Sequence, residues 1–167
     1  TSMVTLMGSG APTVNENFEV TITSNTSAGN AVCNAQIPIT LPAMTYAVIG
    51  ADNVYSWHPS NISAKAFNSS SFGPSGKVKM ISFNNLWNTN NSGTAITNLN
   101  SAVKPDVVLY YSFGLAPTAG LATALNNYVN AGGVLIYGTA DNDVSGTNTI
   151  LNGVFGEGNA QQQIAGN

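Results

Sequence analysis

Apolar residues change their spacing along this 167-residue chain near residue 44. Before that point they alternate: in Phe18-Glu-Val-Thr-Ile-Thr every second side chain is apolar, as a strand with one face on a core and one in water requires. Short runs rich in Val, Ile, Thr and Phe at residues 3–7, 18–24 and 31–40 are separated by Gly-Ser-Gly-Ala-Pro and Asn-Thr-Ser-Ala-Gly-Asn, which predicts antiparallel strands. Beyond Met44 the apolar residues instead run together, at 45–49, 77–83, 106–112 and 133–137. Continuous runs are the mark of parallel strands buried on both faces. Between them the period lengthens to that of a helix. Ser60 is placed to cap 61–67, Ile96, Leu99 and Val103 share one face of 94–103, and Leu121, Leu125, Tyr128 and Val129 stripe 117–131. Pro117 suits the first turn of that last segment and Gly132 its left-handed stop. A final helix is predicted over 147–155.

Strand, crossover helix and parallel strand in repetition predict an α/β fold: a three-layer sandwich with a short parallel sheet of about four strands. The expected strand order is 2-1-3-4, in the flavodoxin-like manner. The Gly/Asn/Gln-rich tail from Gly156 to Asn167 offers no fifth strand. Residues 1–43 are read as a separate β segment and 44–167 as the α/β domain.

Composition narrows the habitat. Only 7% of residues are charged, there is no arginine, and the lysines are Lys65, Lys77, Lys79 and Lys104. A phosphate backbone needs several cations on one face, so nucleic acid is excluded as a partner. No apolar run reaches the length of a membrane span, and the chain opens at Thr1 without a signal-peptide pattern, as a processed or excised fragment would. Polarity comes from Asn, Thr, Ser and Gly, a style that points to a secreted or cell-surface protein of a bacterium. The single Cys33 permits no internal disulfide and is expected to be a small buried hydrophobe. The Asn-x-Ser/Thr matches at Asn25, Asn61, Asn68 and Asn90 arise by chance in such a chain and carry no weight.

Lys104-Pro-Asp-Val-Val-Leu, the helix ending Tyr128-Val-Asn-Ala-Gly-Gly-Val-Leu-Ile, and Leu151-Asn-Gly-Val-Phe-Gly together resemble the class I glutamine amidotransferase-like superfamily over roughly residues 44–156. In its catalytic members the strand after the Gly-Gly turn leads into an elbow bearing a nucleophilic cysteine. Here the elbow falls at Gly138-Thr-Ala-Asp141, with Thr139 or Ala140 in that place, and Cys33 lies in the preceding β segment. The resemblance therefore implies a secreted relative without thiol catalysis. The N-terminal strands resemble the closing strands of an immunoglobulin-like sandwich, with Ile37-Pro-Ile-Thr-Leu-Pro42 as the exit into the next module. A serine mechanism meets its own shortage, because Ser112 lacks the Gly-x-Ser-x-Gly elbow and His58 is the only histidine.

Ligands of open α/β sheets bind beyond the carboxyl ends of the strands, which here means residues 50–58, 84–91, 112–117 and 138–146. Asp52, Tyr55, Trp57, His58 and Trp87, with Ser112 and Asp141 across the crevice, outline a small aromatic-lined cleft for a sugar or other neutral ligand. The competing reading makes Tyr55 and Trp57 packing residues under the loop. Asp141, Asp143 and Ser145 place oxygen donors at alternate positions before Gly146, the start of a calcium loop whose twelfth position is Asn152 rather than the Glu such a site needs. The competing reading has Asp143 or Ser145 capping the last helix. Apart from that calcium no cofactor is implied.

The preferred expectation is a non-catalytic module that binds a protein or glycan, or spaces neighbouring domains of a longer surface protein. Two others stay open. One is a glycan-acting hydrolase using Asp52 and Asp141 as acid and base. The other is a fragment of a larger domain.

Overall fold

The computed structural model describes residues 18–26, 29–37, 40–50, 59–112, 114–139 and 144–156. Strands β1 (Phe18–Thr26) and β2 (Gly29–Ile37) form an antiparallel hairpin that is a sheet of its own. Next come β3 (Met44–Ile49), α1 (Pro59–Ala66), the two-residue strands β4 (Phe72–Gly73) and β5 (Val78–Lys79), β6 (Phe83–Thr89), α2 (Ser92–Leu99) and β7 (Val107–Tyr111). The chain continues through α3 (Ala119–Asn130), β8 (Val134–Gly138) and α4 (Val144–Ile150), which runs into a π-helical turn, Leu151–Phe155. The α/β fold is as expected. Its sheet is four-stranded and all parallel, in the order β6-β3-β7-β8, which is the 2-1-3-4 order of its own strands.

One strand lies elsewhere than its pattern suggested. The second strand of the sheet is Phe83–Thr89, not residues 77–83. A bulge explains the miss: Tyr46 pairs with Asn85 but Ala47 pairs with Trp87, so Leu86 is the extra residue. Phe83 therefore joins Tyr46 on one face, with ring centroids 5.1 Å apart, while Trp87 packs into the core on the other. Two aromatics of the same parity serve opposite faces, which erases the alternation that sequence patterning depends on. The run 77–83 is used differently. Val78 and Lys79 pair with Phe72 and Gly73, and Met80 bridges Leu41.

Helix ends shift by small amounts for identifiable reasons. The Asn91 side chain accepts from Thr94 N at 2.9 Å and starts α2 ahead of the expected position; the helix stops at Leu99, leaving Val103 outside it and exposed. Thr118 caps α3 by accepting from Leu121 N, so Pro117 lies just outside the helix rather than in its first turn. Ser60 is inside α1, which opens at Pro59. Ser145 likewise sits inside α4, where its carbonyl accepts from Thr149 Oγ1, so it does not cap that helix. Cys33 is exposed, against the expectation of burial, and the hairpin that carries it is a two-stranded sheet of its own among the described residues.

The main core lies on one face of the sheet. Ile49, Val108 and Tyr110 meet Leu121, Leu125 and Tyr128 of α3, Ala95 and Leu99 of α2, and Ile150 and Val154. On the other face α1 and the segment after it supply an aromatic cluster, in which Phe67 lies 4.9 Å from both Tyr46 and Phe83 and 5.9 Å from Phe72. All five residues of β7 are buried between these layers. Coverage stops short of β8, whose Val134 and Ile136 are 51% and 44% exposed.

The α3–β8 turn shows why two glycines stand together. Gly132 takes φ +96° as the left-handed stop, and a side chain on Gly133 would fall inside the Tyr128 ring. The Tyr128 hydroxyl, beneath that turn, lies 2.9 Å from the Asp106 carbonyl and 3.3 Å from that of Val134. The Asp106 carboxylate in turn accepts from Thr45 N at 2.7 Å and Thr45 Oγ1 at 3.1 Å. One cluster thus pins the starts of β3, β7 and β8.

Burial pushes the Tyr128 phenol up from 10.0 to about 12. The unfolded chain releases that proton near the ordinary value while the folded chain still holds it, so stability falls as pH rises from about 10 to about 12. Tyr128→Phe is expected to cost about 1–2 kcal/mol near neutrality and to remove the Tyr128-dependent part of that alkaline decline, read from urea unfolding at stepped pH. Gly133→Ala is expected to cost about 1–3 kcal/mol in the same assay, since the ring must leave its place.

Candidate functional site

The crevice of an open α/β sheet lies where the strand order reverses, which in this molecule is between the carboxyl ends of β3 and β7. β3 ends at Gly50, whose N–H donates to the Thr89 carbonyl at 2.9 Å. β7 ends in Ser112, whose N–H donates to the Gly138 carbonyl at 3.1 Å and so carries the ladder across to β8. The Ser112 hydroxyl donates to Thr139 Oγ1 at 2.9 Å, and Ser112 is buried.

Two stretches of main chain meet closely at the reversal point. Gly50 has φ +76°, and a methyl group added to it would overlap the Tyr111 carbonyl oxygen and stand 3.4 Å from Leu115 N. A methyl on Gly114 would stand 2.5 Å from the Gly50 oxygen and 3.0 Å from its Cα. The Tyr110 hydroxyl donates to the Leu115 carbonyl at 2.8 Å and holds this backbone crossing in place. Two glycines are needed because two backbones occupy the space in which side chains would meet. Sequence reasoning passed over both, although each stands at or just beyond the end of an apolar strand, where a missing side chain signals close approach.

The predicted site residues divide into two groups. Asp52, Tyr55, Trp57, His58, Asp141 and Asp143 lie outside the described residues. Trp87, Ser112 and Ser145 are described. Trp87 is within β6 rather than in a loop after it, half-buried against the main core, and its Nε1 has no hydrogen-bond partner. Ser112 is committed to Thr139. Ser145 is exposed on α4.

Thr139, just past the end of β8, accepts the Ser112 hydroxyl. That bond closes the ends of β7 and β8 together. Among the described residues no group of three His, Cys, Asp or Glu side chains is placed to hold a metal ion. The carboxylate of Asp106 belongs to the opposite, amino-terminal end of the sheet.

The chain matches no family model, no curated protein and no solved structure. Among the described residues no helix is long and apolar enough to cross a membrane.

Gly114→Ala is expected to destabilise the fold by about 2–3 kcal/mol, because backbone rather than a flexible side chain must yield. Ser112→Ala, which removes one hydrogen bond and leaves Thr139 another route to solvent, is expected to cost only about 1 kcal/mol. Urea denaturation of the two variants beside the parent checks the order.

Proposed function

We propose that this chain is a non-catalytic α/β module of an extracellular or cell-surface protein, acting through contact with a protein or glycan or by spacing its neighbours. The observation that supports this most is the close Gly50–Gly114 backbone contact, which stands at the reversal point from which open α/β sheets ordinarily work on a ligand. The closed Ser112–Thr139 pair adds to it, since a serine that donates to a neighbouring hydroxyl lacks the base that would make it a nucleophile. On this reading the chain is a relative of the glutamine amidotransferase-like superfamily in which Thr139 has replaced chemistry with a strand-to-strand tie. Low charge and Asn/Thr/Ser-based polarity favour the extracellular setting. The hairpin is then the remnant or the partner of an immunoglobulin-like sandwich.

Incubating the full chain with a panel of soluble and cell-wall oligosaccharides tests this against the hydrolase alternative. The expected result is no release of reducing ends by the parent chain. Turnover that Asp52→Asn or Asp141→Asn abolishes would establish the acid–base pair and overturn the proposal. Calcium is tested separately by thermal unfolding with and without the ion. The expected outcome is an unchanged midpoint, whereas a rise that Asp143→Asn removes would place a bound ion in the 141–146 loop.

A further inference from the structure

We propose that the cavity at the amino-terminal end of the sheet, where Lys104 and Asp106 stand beside the α3–β8 turn, binds a small zwitterion: a ligand with an ammonium group next to a carboxylate, of the size of a free α-amino acid. The cavity is at the opposite end of the sheet from the reversal point. It is therefore independent of the non-catalytic reading above.

Met44, Lys104, Asp106, Tyr128, Gly132 and Val134 are among its walls, and its volume is about 300 Å³. That is the lower end of the range for small-molecule sites and suits a ligand of about ten heavy atoms. Charge sets this place apart. The chain has only four lysines and seven acidic residues, and one of each lines this cavity. Pro105 between them disfavours a helical turn at Lys104, so two side chains two residues apart leave an extended chain on the same side. Among the described residues neither makes an ion pair, and the bonds to the Asp106 carboxylate all fall on Oδ2.

That carboxylate is held ready. Its Oδ2 accepts from Thr45 N at 2.7 Å and from Thr45 Oγ1 at 3.1 Å. The Asp106 N–H donates to the Thr45 carbonyl at 3.0 Å, and its own carbonyl accepts from Val134 N at 3.0 Å and from the Tyr128 hydroxyl at 2.9 Å. With backbone and one oxygen fixed, Asp106 loses little freedom on taking a ligand, and Oδ1 remains to accept from an ammonium group.

The α3–β8 turn adds the same sign. α3 is twelve residues long, and its C-terminal continuation, Ala131 to Gly133, walls the cavity. The negative pole of a helix favours a cation. Lys104 is the one cation on the wall and is the partner for the ligand's carboxylate. A simple amine would leave Lys104 unpaired, and a simple anion would meet Asp106 and the helix end. A zwitterion satisfies both, with Met44, Pro105 and Val134 as apolar contact for its side chain.

The test is an amide NMR titration of the full chain, read at Thr45, Asp106, Gly132 and Gly133, with three probes. They are L-leucine, N-acetyl-L-leucine, which lacks the ammonium, and isopentylamine, which lacks the carboxylate. The parent is expected to bind leucine with a Kd of about 1 mM and the other two at least about tenfold more weakly. Lys104→Met is expected to weaken leucine binding at least about tenfold without weakening isopentylamine. Asp106→Asn, whose amide oxygen still accepts from Thr45, is expected to weaken both. Circular dichroism checks its folding, and exposed Lys104, outside the strand ties, carries the test if that variant does not fold. Three outcomes overturn the proposal. Amides that do not shift at leucine concentrations up to about 20 mM would mean that the cavity takes no such ligand. Leucine binding that survives Lys104→Met, or that N-acetyl-L-leucine matches, would mean apolar contact alone. Tighter leucine binding by Lys104→Met would mean that the lysine fills the site itself.

Discussion

Parallel strands keep their backbone ladder only where layers on both faces shield it from water, and β7 is where this chain meets that requirement in full. Its five residues are all buried, with Val108 and Tyr110 against α2, α3 and the final helical turns, and the opposite face toward α1. Everything else is arranged around that strand. The flanking strands are less complete: β6 mixes Asn with its two aromatics, and β8 turns Leu135 and Tyr137 inward but leaves Val134 and Ile136 to solvent.

The same strand explains the character of the crevice. On its way to α3 the chain leaving β7 comes into contact with Gly50 at the end of β3. Gly50 and Gly114 permit the crossing, the Tyr110 hydroxyl ties it down, and Ser112 with Thr139 locks the neighbouring strand end. Hydroxyl–hydroxyl and hydroxyl–carbonyl bonds are sufficient for that work. At the other end of the sheet Tyr128 and Asp106 perform a matching task, joining three strand starts through one phenol and one carboxylate. Asp106, Tyr110 and Tyr128 are thus occupied with alignment.

Much of the fold was legible because burial leaves a direct trace in residue type. The continuous run at β7, the stripe of α3 and the Gly132 stop all fell where patterning put them, and right-handed crossovers then left little choice of strand order. The β6 strand was illegible because a bulge at Leu86 moves Phe83 and Trp87 to opposite faces. Cap positions were shifted because Asn91 and Thr118 compete with equally suitable neighbours, and only the local backbone decides between them. Of the candidate site, Ser112 stands just past the carboxyl end of β7 as patterning placed it, bonded to Thr139, while Asp52, Tyr55, Trp57, His58, Asp141 and Asp143 lie outside the described residues.

What the sequence by itself determined is the class of structure: alternating apolar runs and stripes confine this chain to a short parallel α/β sheet, and scarce charge leaves it few ionic groups. Periodicity carries that information because each face of an element is set by residues two, three or four apart. Tertiary structure alone decided which backbones meet at the reversal point and which of the described apolar side chains stay exposed. Both depend on how far one backbone stands from another that is distant in sequence, such as Gly50 from Gly114, and on where a layer ends, as α1 does short of Ile136. No local pattern encodes such a distance, because it results from the whole sheet's twist and crossover geometry.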